Sequence, residues 1–126
     1  MTQNYVYRFG GGVSDGRGPD GKELSKALLG GKGAGLAAMA AAGVPVQVVS
    51  VPGLFTVFFS EEPVHDYAGA KACDTEAHAA WCRALLARGV FPPASQFEAW
   101  FPSLAHTQEH LDRALDAATA AFAELA

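Results

Sequence analysis

Apolar positions along this chain change their period several times, and each change marks an element. Tyr5, Val6, Tyr7 and Phe9 form a run rich in β-forming residues, closed by Gly10, Gly11 and Gly12, which predicts a strand at about 4–9. Six glycines and Pro19 between Gly10 and Gly21 predict a loop. A short helix is predicted at about 22–29, stopped by Gly30 and Gly31, and a second at about 33–42 with Leu36, Met39 and Ala40 on one face. Gly43, suited to the left-handed position after a helix, and Pro45 end it. Gln47–Val51 and Leu54–Phe59 are β-branched and aromatic runs separated by Pro52 and Gly53, the pattern of two neighbouring strands with a tight connection.

The second half turns helical. Asp74, Thr75 and Glu76 place acceptors and negative charge at a helix start, and Ala77, Trp81, Ala84 and Leu85 then recur at helical spacing until Gly89. Val90 and Phe91 predict a short strand ended by Pro92 and Pro93, and Phe97–Phe101 predict another. Thr107 is placed to cap a last helix whose apolar face is Leu111, Ala114, Leu115, Ala118, Phe122 and Leu125. The expected fold is α+β, a two-layer sandwich in which a small, mainly antiparallel sheet carries helices packed on one side. No internal repeat or long linker divides the chain, so residues 1–126 are read as one domain.

Composition narrows the function classes. Half of the 126 residues are hydrophobic, yet no apolar run approaches the roughly 20 residues of a membrane span. The start, MTQNYVYRF, lacks the basic and apolar regions of a secretory signal, so a cytoplasmic setting is expected. A net charge of −4 with scattered Lys and Arg disfavours nucleic acid as a partner. Cys73 and Cys82, nine residues apart, would lie on opposite faces of a continuous helix; both are read as reduced, Cys82 as a small core residue.

Two local patterns carry possible chemistry. Gly30-Gly31-Lys32-Gly33-Ala34-Gly35 opens a predicted helix, where glycines let the backbone approach an anion, unpaired N–H groups point at it and Lys32 adds a full charge. The spacing is not that of a P-loop, and the same glycines also serve as a plain helix stop and turn. His106 and His110 sit four apart, but His106 falls before the Thr107 cap and no third ligand is evident, so no metal site is expected. His65 and His78 are read as surface residues.

Longer strings carry two resemblances. YVYRFGGG followed by LLGGKGAGLAAMAAAGVPV, residues 4–45, resembles the start of the nucleotide-binding domain of pyruvate phosphate dikinase. From about Leu36 to the end, GVPVQVVSVPGLFTVFFSEEPVHDYAGAKACDTEAHAAWCRALLARGVFPPASQFEAWFPSLAHT resembles the C-terminal small domain of glutamate-1-semialdehyde aminomutase, a pyridoxal-phosphate enzyme. The two overlap in a shared helix-turn-strand seam at 36–46, with a dikinase-like segment at 1–35 and an aminomutase-like segment at 47–126. The first resemblance implies phosphate binding by Gly31, Lys32 and Gly33. The second implies a substrate-orienting role for Glu98 within Ser95-Gln96-Phe97-Glu98-Ala99, although Trp100 and Pro92 stand where that family has glycine and leucine.

Together the resemblances imply a chimeric domain, engineered or recombined, in which neither parent's active site is complete. Pyridoxal phosphate needs a Schiff-base lysine, a carboxylate for the ring nitrogen and a phosphate cradle, and in the aminomutase these belong to the large domain. Lys22, Lys26, Lys32 and Lys71 match no such context. No independent catalysis, no cofactor and no small-molecule substrate are therefore expected. Two alternatives stay open: a weak phosphate- or nucleotide-binding module built on Lys32, and a natural truncated interaction domain. Excision from a larger partner would uncover apolar surface, so self-association as a homodimer is expected.

Overall fold

A computed structural model describes residues 6–10, 13–14, 43–51 and 53–125. Among these residues four strands form one antiparallel sheet in the order β2-β1-β3-β4: β1 (Val6–Gly10), β2 (Val13–Ser14), β3 (Val46–Val51) and β4 (Leu54–Phe58). Three helices follow: α1 (Tyr67–Lys71), α2 (Thr75–Ala87) and α3 (Gln108–Ala123). This is the expected α+β arrangement. The predicted helices at 22–29 and 33–42, with Gly31, Lys32 and Gly33, lie outside the described residues.

Register decides which strand residues meet the helices. β3 and β4 pair with Val48 opposite Val57 and Ser50 opposite Phe55. Because strand side chains alternate between faces, Val46, Val48, Phe55, Val57 and Phe59 share one face. That face meets α2 and α3 in a core of Val46, Val48, Val57, Phe59, Trp81, Cys82, Leu85, Ala118, Ala121 and Phe122. Phe58 points the other way and packs on a smaller cluster of Val64, Ala70 and Cys73. β1 runs antiparallel to β3 with Val6 opposite Val49 and Phe9 opposite Val46, so a strand of the first 35 residues belongs to the same sheet.

Local chemistry sets the helix ends. Asp74 Oδ1 accepts from the N–H groups of Glu76 and Ala77 at 3.0 and 2.9 Å, and the Asp74 N–H donates to the Phe59 carbonyl at 2.9 Å, which ties the start of α2 to the end of β4. Gly89, at φ +78°, closes the other end: its N–H reaches the Leu86 carbonyl and that of Val90 reaches Leu85, the paired hydrogen bonds of a left-handed helix stop. Thr107 caps α3 as expected, with the His110 side chain returning the hydrogen bond to the Thr107 N–H.

Four expectations are corrected. Residues 90–93 form no strand, because the Val90 N–H is spent on the helix stop and Pro92 and Pro93 have none to give. Residues 97–101 contribute only a single bridge, Phe55 with Trp100. His78 is not a surface residue: it is 4% exposed on the inner face of α2, its ring edge-on to Phe59 and its nitrogens 3.7 and 3.8 Å from Cys82 Sγ. The α3 face also rotates slightly from the predicted one, so that Ala117 and Ala121 are buried while Leu111, Ala114 and Leu115 are half-buried.

The burial of His78 has a pH consequence. Desolvation lowers its pKa from the usual 6.5, so the unfolded chain takes up a proton before the folded one does. Below about pH 6.5 the unfolded state binds more protons, and stability falls as pH falls toward the depressed folded value; above that range the contribution is fully present. Urea unfolding between pH 7.5 and 5 is expected to show this loss, and His78→Gln to flatten it. An unchanged pH slope in that variant would assign the acid sensitivity elsewhere.

Candidate functional site

The segment that follows α2 has few backbone hydrogen bonds of its own and is held by its side chains. Gln96, 3% exposed, donates from Nε2 to the Ala70 carbonyl at 2.8 Å, fixing the segment to the end of α1. Ser95 Oγ accepts from the Phe97 N–H at 3.2 Å and the Ser95 carbonyl accepts from the Glu98 N–H at 3.0 Å, which turns the chain sharply. Trp100 then pairs with the edge strand β4, its N–H donating to the Phe55 carbonyl at 2.7 Å and its carbonyl accepting in return at 3.1 Å. Its ring stacks on Phe55 with centroids 5.3 Å apart. Between these two anchors Glu98 stands in solvent at the sheet edge.

Beside Glu98 the exposed ring of Phe97 meets Tyr67 at 5.8 Å, and the ammonium of Lys71 lies 5.8 Å from the centre of the Tyr67 ring. The result is an exposed carboxylate on a loop fixed by a buried amide, next to an aromatic pair and a cation. Such an arrangement can hold or orient a polar ligand brought to it by another surface. The Glu98 N–H donates to the Ser95 carbonyl at 3.0 Å, and its carboxylate makes no hydrogen bond with a described residue, so no described residue activates it as an acid or base.

Glu98 is at the β4 edge; Gly31, Lys32 and Gly33 lie outside the described residues. His106 and His110 lie near each other, ring centroids 6.4 Å apart, but each Nδ1 accepts a backbone N–H, from Ser103 and Thr107, and no group of three metal-ligating side chains occurs among the described residues. Cys73 precedes α2 and does not share a helix with Cys82; both are free and buried, and burial raises both thiol pKa values. The two family departures have structural roles: Trp100 makes the bridge and stack, and Pro92 is buried. Gln96 was not legible as an anchor, because one polar residue between Ser95 and Phe97 carries no periodic signal.

A second feature lies on the helix side of this segment. An apolar groove of about 630 Å³ runs between α3, the end of α2 and residues 99–102, with Trp81, Trp100 and Leu111 among its walls. None of the helices among the described residues is long and apolar enough to cross a membrane.

No protein-family model matches the chain. Among curated proteins, the glutamate-1-semialdehyde 2,1-aminomutase of Desulfosudis oleivorans is 51% identical over 92 residues, which is 72% of this chain and 22% of that protein. That of Thermomicrobium roseum is 50% identical over 84 residues, 67% of this chain and 20% of the relative. One from Anaeromyxobacter dehalogenans is 50% identical over 103 residues, 82% and 23% of the two chains. A match of that length must begin by Leu24, so the similarity to the aminomutase reaches into residues 1–35. The chain spans about a fifth of the length of the curated relatives it matches, and at half identity it matches a fragment of glutamate-1-semialdehyde 2,1-aminomutase.

Proposed function

We propose that this chain is the small C-terminal domain of an aminomutase-type enzyme without catalytic activity of its own, a rigid support that presents Glu98 to a polar substrate held by a larger, cofactor-bearing domain. In this reading residues 1–35 are a dikinase-like segment joined at the 36–46 seam, and they complete the sheet through β1. The observation that carries the proposal is the loop itself: Gln96 is buried and bonded to Ala70, Trp100 is bonded to Phe55, and the Glu98 side chain between them faces solvent and bonds to no described residue. A carboxylate fixed by its neighbours and left unpaired is suited to a ligand supplied from outside.

The described residues do not fit pyridoxal phosphate. A cofactor lysine works from a closed pocket with a carboxylate for the ring nitrogen and donors for the phosphate. Lys71, the lysine among the described residues, is exposed on α1 above the Tyr67 ring. No catalytic step is therefore assigned to this chain.

Incubation with one equivalent of pyridoxal phosphate, borohydride reduction and mass mapping test the reading. The expected result is no stoichiometric adduct and no turnover of glutamate-1-semialdehyde. A visible absorbance band together with quantitative trapping on one lysine would overturn it.

A further inference from the structure

The groove beside α3 is largely apolar, and its charged and polar lining groups come from α3, the residues just before it and the end of α2. At about 630 Å³ it falls within the size range of small-molecule sites. Trp81, Trp100, Phe101 and Leu111 give it aromatic and aliphatic walls, and its titratable lining groups are Arg88, Arg113, His106 and His110, with no carboxylate among the described residues that line it. In a chain of net charge −4 this is a local reversal of sign. Glu109 and Asp112 belong to the same helix but are exposed and outside the lining.

The four groups differ in availability. Arg88 is committed, donating to the Ala84 carbonyl at 2.9 Å and pairing with Glu124. Arg113 is exposed and makes no hydrogen bond or ion pair with a described residue. The imidazoles are oriented by the backbone: Ser103 N–H donates to His106 Nδ1 at 3.0 Å and Thr107 N–H to His110 Nδ1 at 3.2 Å. With Nδ1 accepting, the neutral ring carries its proton on Nε2, so each histidine is left with a donor. His110 and Arg113, three residues apart on α3, are neighbours on one helix face.

We propose that this groove binds an amphipathic carboxylate, its apolar body lying against Trp100, Phe101 and Leu111 and its carboxylate held by Arg113 with the Nε2–H groups of His106 and His110. Trp100 is pre-positioned for this by its stack on Phe55 and its two backbone hydrogen bonds to β4, so little ordering is needed on binding. The charge selects the anion over a neutral molecule of the same shape.

Titration of the full chain with decanoate and, separately, decanol, followed by the fluorescence of Trp81 and Trp100, tests the proposal. Saturable decanoate binding is expected, at least about fivefold tighter than decanol, with Arg113→Gln removing that preference and leaving decanol binding unchanged. Arg113 is exposed, so the variant is expected to fold, and circular dichroism checks it. The proposal is overturned by absence of saturation, by equal binding of the two probes to the parent chain, or by an unchanged preference in Arg113→Gln.

Discussion

Phe122→Ala is expected to abolish cooperative folding near room temperature. Phe122 is fully buried where α3 crosses the sheet, its ring 5.0 Å from Trp81 and stacked on Phe59 at 5.5 Å. Trp81 in turn touches Phe59 at 5.8 Å and Trp100 at 5.9 Å, so the four rings form one contact network joining α3, α2, β4 and the Glu98 loop. Replacing a buried Phe by Ala costs roughly 3–5 kcal/mol through lost transfer free energy and the cavity left behind. That is most of the net stability of a marginal small domain, about 5 kcal/mol at the low end. Near-UV circular dichroism and a thermal melt check it, with lost tertiary signal the expected outcome. Phe122→Leu, which fills most of the space, is expected to keep the transition at a lower temperature. A melt of Phe122→Ala displaced by only a degree or two would show that the ring network does not hold the layers together.

The fold was largely readable because its elements follow simple periods. Val6 to Phe9, Gln47 to Val51 and Leu54 to Phe58 alternate or run apolar and lie in strands; Asp74, Gly89 and Thr107 mark helix ends by side-chain and backbone chemistry that acts within four residues. The misreadings arise where the outcome depends on distant residues. Phe97–Phe101 looks like a strand by composition, but only Trp100 finds a partner, because Ser95 and Gln96 commit the preceding backbone to a turn against α1. His78 looks like a surface residue until Phe59 and Cys82 close over it. Of the site, Glu98 was legible through resemblance, whereas its support by Gln96 depends on a carbonyl 26 residues earlier in the chain. The groove was not legible at all, since its walls come from β4, α2, α3 and residues 99–102.

Removing residues 1–34 is expected to have the other large effect, because β1 is an inner strand of the sheet and not an appendage. The order β2-β1-β3-β4 places it directly against β3, with Val6, Tyr7, Arg8 and Phe9 opposite Val49, Val48, Gln47 and Val46. Its loss would leave β3 as an edge, with the unpaired N–H and C=O groups of a valine-rich strand presented to solvent, and a flat apolar edge of that kind invites pairing with another chain. A sheet reduced to β3 and β4 falls below the three strands needed for independent stability, leaving α2 and α3 to hold it. That β1, from the first 35 residues, and the β3–β4 pair form a single cooperative sheet is the central claim, and one melting experiment tests it. A chain beginning at Gly35 and the full chain are unfolded by heat while the fluorescence of Trp81 and Trp100 is followed. A broadened, lowered or absent transition with aggregation is expected for the shorter chain; a transition as sharp and at the same temperature as the full chain's would contradict the claim.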